Sequence, residues 1–281
     1  MRYALFMGCT PYGATPELKT SLEAAAKALE IELIELKEAS CCGATHLQDF
    51  DGFLSLVINA RNLAYAEKLG LDLITICNTC QLVLSQAAAR LAADRDLLER
   101  VNHKLGEVGL RYNASIKVRH LLYALRDDYG FDNLPIKKPL IGKKIAPFYG
   151  CHNIRPSKLA SGDDPFRPRA LDDLIIALGA EPIDYPLKND CCGFHTQMQA
   201  SETTYRLSGG VLAQACDRGA DWIVTPCPLC HLSFDAQQAN AERAINRPLN
   251  IPTLHLTQLI GLALGLDDRA LGLRRNIVSI K

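Results

Sequence analysis

The chain reads as an α/β protein made of two pseudo-symmetric cysteine-rich repeats, each with a short parallel-sheet core and flanking helices. Three observations predict this. Ten of the eleven cysteines fall into two five-membered arrays: Cys9, Cys41-Cys42-Gly43 and Cys77-x-x-Cys80, then Cys151, Cys191-Cys192-Gly193 and Cys227-x-x-Cys230. Cys41, Cys42, Cys77 and Cys80 each recur 150 positions later, and Cys9 recurs after 142. Cysteine groups follow short apolar runs and precede helix-like segments, the order in which open α/β sheets carry ligand loops beyond their strand ends.

Taken in order, residues 3–7 are the first strand, closed by Gly8-Cys9. A loop over 10–15 gives way at Pro16 to a helix with apolar positions Leu18, Leu22, Ala25, Ala26 and Leu29. Residues 31–36 return to strand character before Cys41-Cys42-Gly43, where the glycine opens unusual backbone angles or lets an inorganic centre approach. A helix over 53–69, a buried strand over 73–76, Cys77 with Cys80, and a helix over 81–92 follow. From 94 to 129 the pattern predicts helix, broken near 106–113. His120 falls on that helix, as a packed or capping residue or beside a pocket. Pro135, Pro139 and Gly142 mark a linker. The expected units are therefore 1–133 and 144–281, joined by 134–143.

The grammar then restarts, with Lys144 to Cys151 answering Arg2 to Cys9. Pro147 suits an edge strand or a strand start better than a central position. The second repeat continues with a polar loop over 157–168, a helix over 171–178 and strand character over 181–185. A helix over 201–218 carries Cys216, and a strand over 221–226 feeds Cys227. A helix over 233–243, a short strand over 251–254 and a helix over 256–264 complete it. Residues 267–281 show no assignable pattern.

Composition narrows the function. Lys and Arg total 31 against 31 Asp and Glu, so no global field draws the chain to nucleic acid, though a local basic patch stays open. No apolar run reaches the roughly 18 residues of a spanning helix. The N-terminus reads as a strand and not an export signal, which makes a reducing, cytoplasmic setting the default. Thiols there serve as ligands or redox centres more readily than as structural disulfides. Zinc takes four ligands, so five thiols per repeat leave one over. Iron–sulfur clusters also commonly take four, but a larger or opened cluster could use the fifth. Dithiol exchange at the C-x-x-C pairs must still explain three further cysteines per repeat. Cys216 stands outside both arrays and reads as a small buried residue. No G-x-G-x-x-G fingerprint occurs, so electrons must come from a partner.

On these motifs, with Tyr149-Gly150-Cys151-His152, Arg155-Pro156, His255-Leu256 and Gln258-Leu259, the chain resembles the HdrB-type (heterodisulfide reductase, CCG-domain) family over nearly its whole length. The resemblance implies two noncubane [4Fe-4S] clusters. One would be held by Cys9, Cys41, Cys42, Cys77 and Cys80, the other by Cys151, Cys191, Cys192, Cys227 and Cys230. No array position is missing, unlike relatives whose first domain carries zinc. In the methanogen enzyme this component reduces the coenzyme M–coenzyme B disulfide between its clusters. That mechanism implies catalytic positions at Cys9 and Cys151, beside open iron, with His152 tuning charge, packing or moving a proton at the substrate face. Arg155 would bind an anionic substrate or form a surface salt bridge. The chain is also similar to the cysteine-rich subunit of unusual succinate dehydrogenases and fumarate reductases, which acts with quinone or thiols in place of a haem-bearing anchor. Either branch implies an iron–sulfur electron-transfer subunit and a flavoprotein as partners, with peripheral membrane contact through the complex. A zinc-stabilised interaction module is the remaining alternative.

Overall fold

Tyr3, Ala4, Leu5 and Phe6 are all buried, as befits a strand covered on both faces of a parallel sheet. In the computed structural model, which describes residues 1–159 and 163–280, this strand is β1 (Arg2–Phe6). Ala160, Ser161 and Gly162 of the expected 157–168 loop, and Lys281, lie outside the described residues. After β1 come α1 (Pro16–Ala28), β2 (Glu32–Glu35), α2 (His46–Phe50), α3 (Gly52–Lys68), β3 (Leu73–Thr75), α4 (Asn78–Ala93), α5 (Arg95–Gly106), β4 (Val118–His120) and α6 (Leu121–Ala124). The strands pair in parallel in the order β2-β1-β3-β4.

The second sheet repeats the plan. It uses β5 (Lys144–Pro147), α7 (Cys151–Ile154), α8 (Ala170–Ala177), β6 (Glu181–Pro182), α9 (Ser201–Asp217), β7 (Trp222–Thr225), α10 (Pro228–Phe234), α11 (Gln238–Ile245), β8 (Thr253–His255) and α12 (Leu256–Ala263). Its order, β6-β5-β7-β8, is again parallel throughout. The chain leaves β1 for one side of the sheet and returns for β3 on the other, and β5 and β7 do the same. Such a reversal opens a crevice at the strands' carboxyl ends. Cys9 and Cys77 leave the first crevice, and Cys151 and Cys227 the second.

Successive residues of a strand point to opposite faces. Leu5 and Ile145 accordingly enter one apolar cluster, with Leu122, Val224 and Leu254. Phe6, Ala146 and Phe148 enter the other, with Leu63 and Phe234. Both layers run through the two repeats. The helices α1 and α12 pack together at the seam, as do α4 and α7. Burying one side chain such as Phe6 or Phe148 stabilises by about 1.5–3 kcal/mol.

The α/β reading holds, and the differences are local. Residues 118–120 form β4 instead of helix. Their three-residue length left too little alternation to separate them from the helix that follows. His120 therefore ends a strand and caps α6, its Nδ1 accepting from Leu122 N at 3.1 Å. The expected helix over 233–243 is two helices, with α10 starting at Pro228 and the break following Asp235, whose carboxylate accepts from Ile277 N and Val278 N. The helix expected from 81 begins at Asn78, which places Cys80 in its first turn. Pro147 sits at the end of an inner strand, not an edge. Its missing N–H costs nothing there, because Phe148 N makes the next ladder bond to Val224 O at 2.8 Å, and Pro147 O is taken by the Tyr185 hydroxyl at 3.0 Å. Cys216 is half-buried, not enclosed.

Candidate thiol site between the two sheets

Cys9 and Cys41 leave the ends of β1 and β2 with their Sγ atoms 3.6 Å apart. Cys42 Sγ lies 3.7 Å from Cys80 Sγ, in the first turn of α4. Cys77 is the N-cap residue of that helix and reaches across the seam. Its Sγ stands 3.9 Å from that of Cys227, the equivalent residue at the start of α10. In the second repeat Cys227 meets Cys230, Cys230 meets Cys192, and Cys151 meets Cys191. All ten array cysteines thus gather at the facing carboxyl edges of the two sheets. Cys216 lies apart on α9, its thiol donating weakly to Leu249 O at 3.7 Å.

These contacts redistribute protons among the sulfurs. Hydrogen bonds from Cys41 and Cys80 hold the Cys42 thiol down to about 4, while the same contacts push Cys41 and Cys80 up. In the second repeat a hydrogen bond from Cys151 holds Cys191 down to about 6, and Cys151 is pushed up. Burial pushes the Cys227 thiol up, but hydrogen bonds from Cys230 and Cys77 outweigh it and hold Cys227 well below the usual thiol range. The thiolate is the form that binds metal and attacks disulfides.

The surrounding chain suits an inorganic centre. The donor set is all soft sulfur, the set that selects iron–sulfur clusters or zinc over hard cations. Gly8 and Gly150 take positive φ of 79° and 73°, and a Cβ on either would stand 3.2 Å from the Sγ of Cys80 or Cys230. Gly43 N and Gly193 N donate to Cys41 Sγ and Cys191 Sγ at 3.4 and 3.3 Å, the kind of amide contact that tunes ligated sulfur. As the side chains stand, the sulfurs are paired more than focused. No group of three or more His, Cys, Asp or Glu among the described residues is disposed to hold a single metal ion.

Between the sulfur sets runs a row of imidazoles. His152, just after Cys151, places Nδ1 3.0 Å from Thr79 Oγ1, and His195 Nε2 lies 3.2 Å from the same hydroxyl. Thr79 sits between Cys77 and Cys80, so this junction joins the two repeats. The rings of His152 and His195 are 5.0 Å apart, and His46 stands 5.6 Å from His195. Burial lowers His152 and holds His195 down to about 4, keeping both neutral near pH 7. His195 Nδ1 is buried without a hydrogen-bond partner. Sequence reasoning singled out His152 but missed Thr79, His46 and His195. The available signal was a histidine within four residues beyond each Cys-Cys-Gly. Arg155 donates to Asn189 O at 3.2 Å on the surface of its own repeat.

The first paired-cysteine loop is tied to α3, where Asn59 donates to Cys42 O at 3.0 Å and Asn62 brackets Ser40. The second is tied through Gly193 O, which accepts from Thr196 and Thr204 hydroxyls at 2.9 Å.

The profile of the CCG cysteine-rich domain matches residues 3–85 and 145–235, one copy for each sheet and each array. The chain belongs to this family. It is 38% identical over 276 residues to the 8-methylmenaquinol:fumarate reductase membrane anchor subunit of Wolinella succinogenes, covering 98% of this chain and 96% of that one. It is 34% identical over 282 residues to the B component of the ferredoxin/F(420)H(2)-dependent CoB-CoM heterodisulfide reductase of Methanosarcina acetivorans, covering 99% and 94%. A protein of Archaeoglobus profundus, named as similar to the same heterodisulfide reductase component, is also 34% identical, covering 95% and 92%. In fold, the CCG pair is similar to a hypothetical protein from Helicobacter pylori, with a TM-score of 0.84 at 18% identity. The match covers all of this chain and about half, 52%, of that one. Among the described residues, no helix is long and apolar enough to cross a membrane.

Proposed function

We propose that this chain is the iron–sulfur redox subunit of a multi-subunit reductase, with one centre per CCG repeat and a disulfide substrate reduced at the seam between them. The observation that carries this reading is the 3.9 Å contact between Cys77 and Cys227, which turns two sequence-distant arrays toward one another. Cys9, Cys41, Cys42, Cys77 and Cys80 would hold the first centre and their counterparts the second, each a noncubane [4Fe-4S] cluster. Such centres, when bound, supply electrons at sulfur-ligated iron. Reducing a disulfide to two thiols takes two electrons and two protons. The electrons come from a partner iron–sulfur subunit fed by a flavoprotein. Thr79, His152 and His195 form a hydrogen-bonded row that can hand protons along without bringing fixed charge to the seam. Cys9 and Cys151 are the positions we assign to the substrate-facing side.

A second reading keeps the centres and makes quinone the electron partner. The identity to the Wolinella succinogenes fumarate reductase subunit favours it, with the chain held at a membrane face by its complex. Anaerobic purification followed by iron, sulfide and zinc counts tests both readings. About eight irons per chain with matching sulfide are expected for two tetranuclear clusters. One zinc per repeat with no sulfide overturns them in favour of a zinc-stabilised module. With a reduced viologen as donor, turnover of a disulfide against turnover of a menaquinone analogue separates the two.

A further inference from the structure

Two histidines outside the cysteine arrays make the same contact in opposite directions. His120 ends β4 in the first repeat, and His255 ends β8 in the second. Both side chains are fully buried. Each uses Nδ1 as the acceptor that caps the next helix, from Leu122 N at 3.1 Å and Thr257 N at 3.3 Å. A neutral imidazole that accepts at Nδ1 carries its proton on Nε2. That proton crosses the seam. His120 Nε2 lies 2.9 Å from Pro226 O, and His255 Nε2 lies 3.2 Å from Ile76 O. Each imidazole also has a weaker contact with the backbone of its own repeat, His120 with Ile76 and His255 with Pro226, so the crosswise bond is the dominant one.

Ile76 and Pro226 are matching positions, each the residue immediately before the first cysteine of a C-x-x-C turn. We propose that His120 and His255 are reciprocal positioning residues, each fixing the cysteine turn of the opposite repeat. The final strand of each sheet thereby sets where the other sheet's Cys77 or Cys227 points. The 3.9 Å approach of those two sulfurs is held from both sides. A third tie is one-sided. Asn78 donates to Tyr149 O at 2.7 Å, and its counterpart Pro228 has no side-chain donor to return it. The histidine pair is therefore the symmetric part of the clamp.

This inference rests on the proposed function only in holding that the turns carry an inorganic centre. Its test is made first without metal. In the full-length metal-free chain, His120→Asn keeps an N-cap acceptor, since Asn is a favoured cap, while losing the reach across the seam. His120→Gln places a donor close to the original Nε2. The readout is alkylation of each cysteine, followed by peptide mass spectrometry. His120→Asn should speed modification of Cys227 and Cys230 about five- to tenfold, the factor by which a lost buried hydrogen bond shifts a local opening equilibrium. Cys77 and Cys80, next to the weaker own-repeat contact at Ile76, should change by less than about twofold. His255→Asn should do the reverse, and the Gln variants should restore wild-type rates.

An effect confined to the histidine's own repeat, an equal effect on both turns, or no change at either would overturn the clamp. A purely structural loss would loosen both turns together and would not respond to Gln. Iron counts on the reconstituted variants keep the two ideas separable. Crosswise alkylation in a chain that binds no iron sustains the clamp and sinks the proposed function, and iron binding without the crosswise pattern does the opposite.

Discussion

The two CCG repeats share strand order, helix-cap positions and the spacing from the paired cysteines to the C-x-x-C turn, yet they present their sulfurs differently. In the first, Cys9 and Cys41 are exposed beside a cavity of about 210 Å³ lined by Gly8, Tyr12 and Leu36. In the second, Cys151 and Cys191 are half-covered, with His152 and His195 close by. The first repeat has Thr10 and Thr45 at the matching positions. The strands and glycines place the donors, and the residues just beyond each cysteine decide what reaches them. Solvent and small reagents meet Cys9 and Cys41 directly, and Cys151 and Cys191 through an imidazole-lined approach.

The sharpest way to break this comparison is to remove one donor from each side. Cys42→Ser should abolish the first centre and Cys192→Ser the second, each leaving about half of the iron in anaerobically prepared protein. The two variants should also leave spectroscopically different remainders, because the surviving sites sit in different surroundings. Cys216→Ser should keep both centres. Equal iron loss from Cys216→Ser would show that the arrays are drawn wrongly.

A second test concerns pH. Burial holds His120, His195 and His255 down to about 4 and His231 to about 3. Their unfolded values lie near 6.5, so between roughly pH 6.5 and 4 the unfolded chain binds more protons than the folded one. Stability then rises with pH across that window and falls on acidification. Glu17 and Asp235, both raised by burial, act in the opposite sense, their contribution fading as pH rises through their folded values. Three of the four histidines belong to the second repeat. Metal-free protein should lose urea stability between pH 7 and 5, with amide protection falling first in the second repeat. A flat profile, or earlier loss in the first repeat, would remove the histidines from the contrast.

Much of this was legible in the residues, for a physical reason. Cysteine spacing is fixed by the strand–loop–helix path, so the repeat exposed the grammar and the ten cysteines that gather at the seam together. Long amphipathic helices such as α1 and α3 declared themselves by period. Strand β4 did not, because three residues offer one alternation and a helix begins at the next position. The Thr79–His152–His195 row was invisible for another reason. Its members lie 73 and 116 residues apart along the chain and meet only because the sheets face each other. The capping role weighed for His120 was correct, but its partner across the seam follows only from the packing.

The glycines beside the first cysteines allow a smaller, graded comparison. Gly8→Ala and Gly150→Ala both force a side chain into positive φ, which costs on the order of 1–2 kcal/mol wherever the backbone cannot relax. A Cβ at 8 would meet only Cys80 Sγ at 3.2 Å. At 150 it would meet Cys230 Sγ at 3.2 Å, Asn78 Nδ2 at 3.1 Å and Phe148 at 3.6 Å. Gly150→Ala should therefore be the more destabilising in urea denaturation, and it should disturb the Asn78 tie as well as the sulfur. Equal costs would mean that backbone strain alone governs both sites.

The smallest expected effect is at Cys216, where the repeats again diverge. The matching residue is Ala66, wholly buried on α3, whereas Cys216 is half-buried on α9 with burial raising its thiol. Alanine already serves this position in the first repeat, so the helix tolerates the smaller side chain there. Cys216→Ala removes one partly covered sulfur and a weak donor to Leu249 O. It should cost less than about 1 kcal/mol in urea denaturation, in line with substitutions that open no buried cavity. A loss above about 2 kcal/mol would mean that α9 depends on this thiol in a way the first repeat's α3 does not.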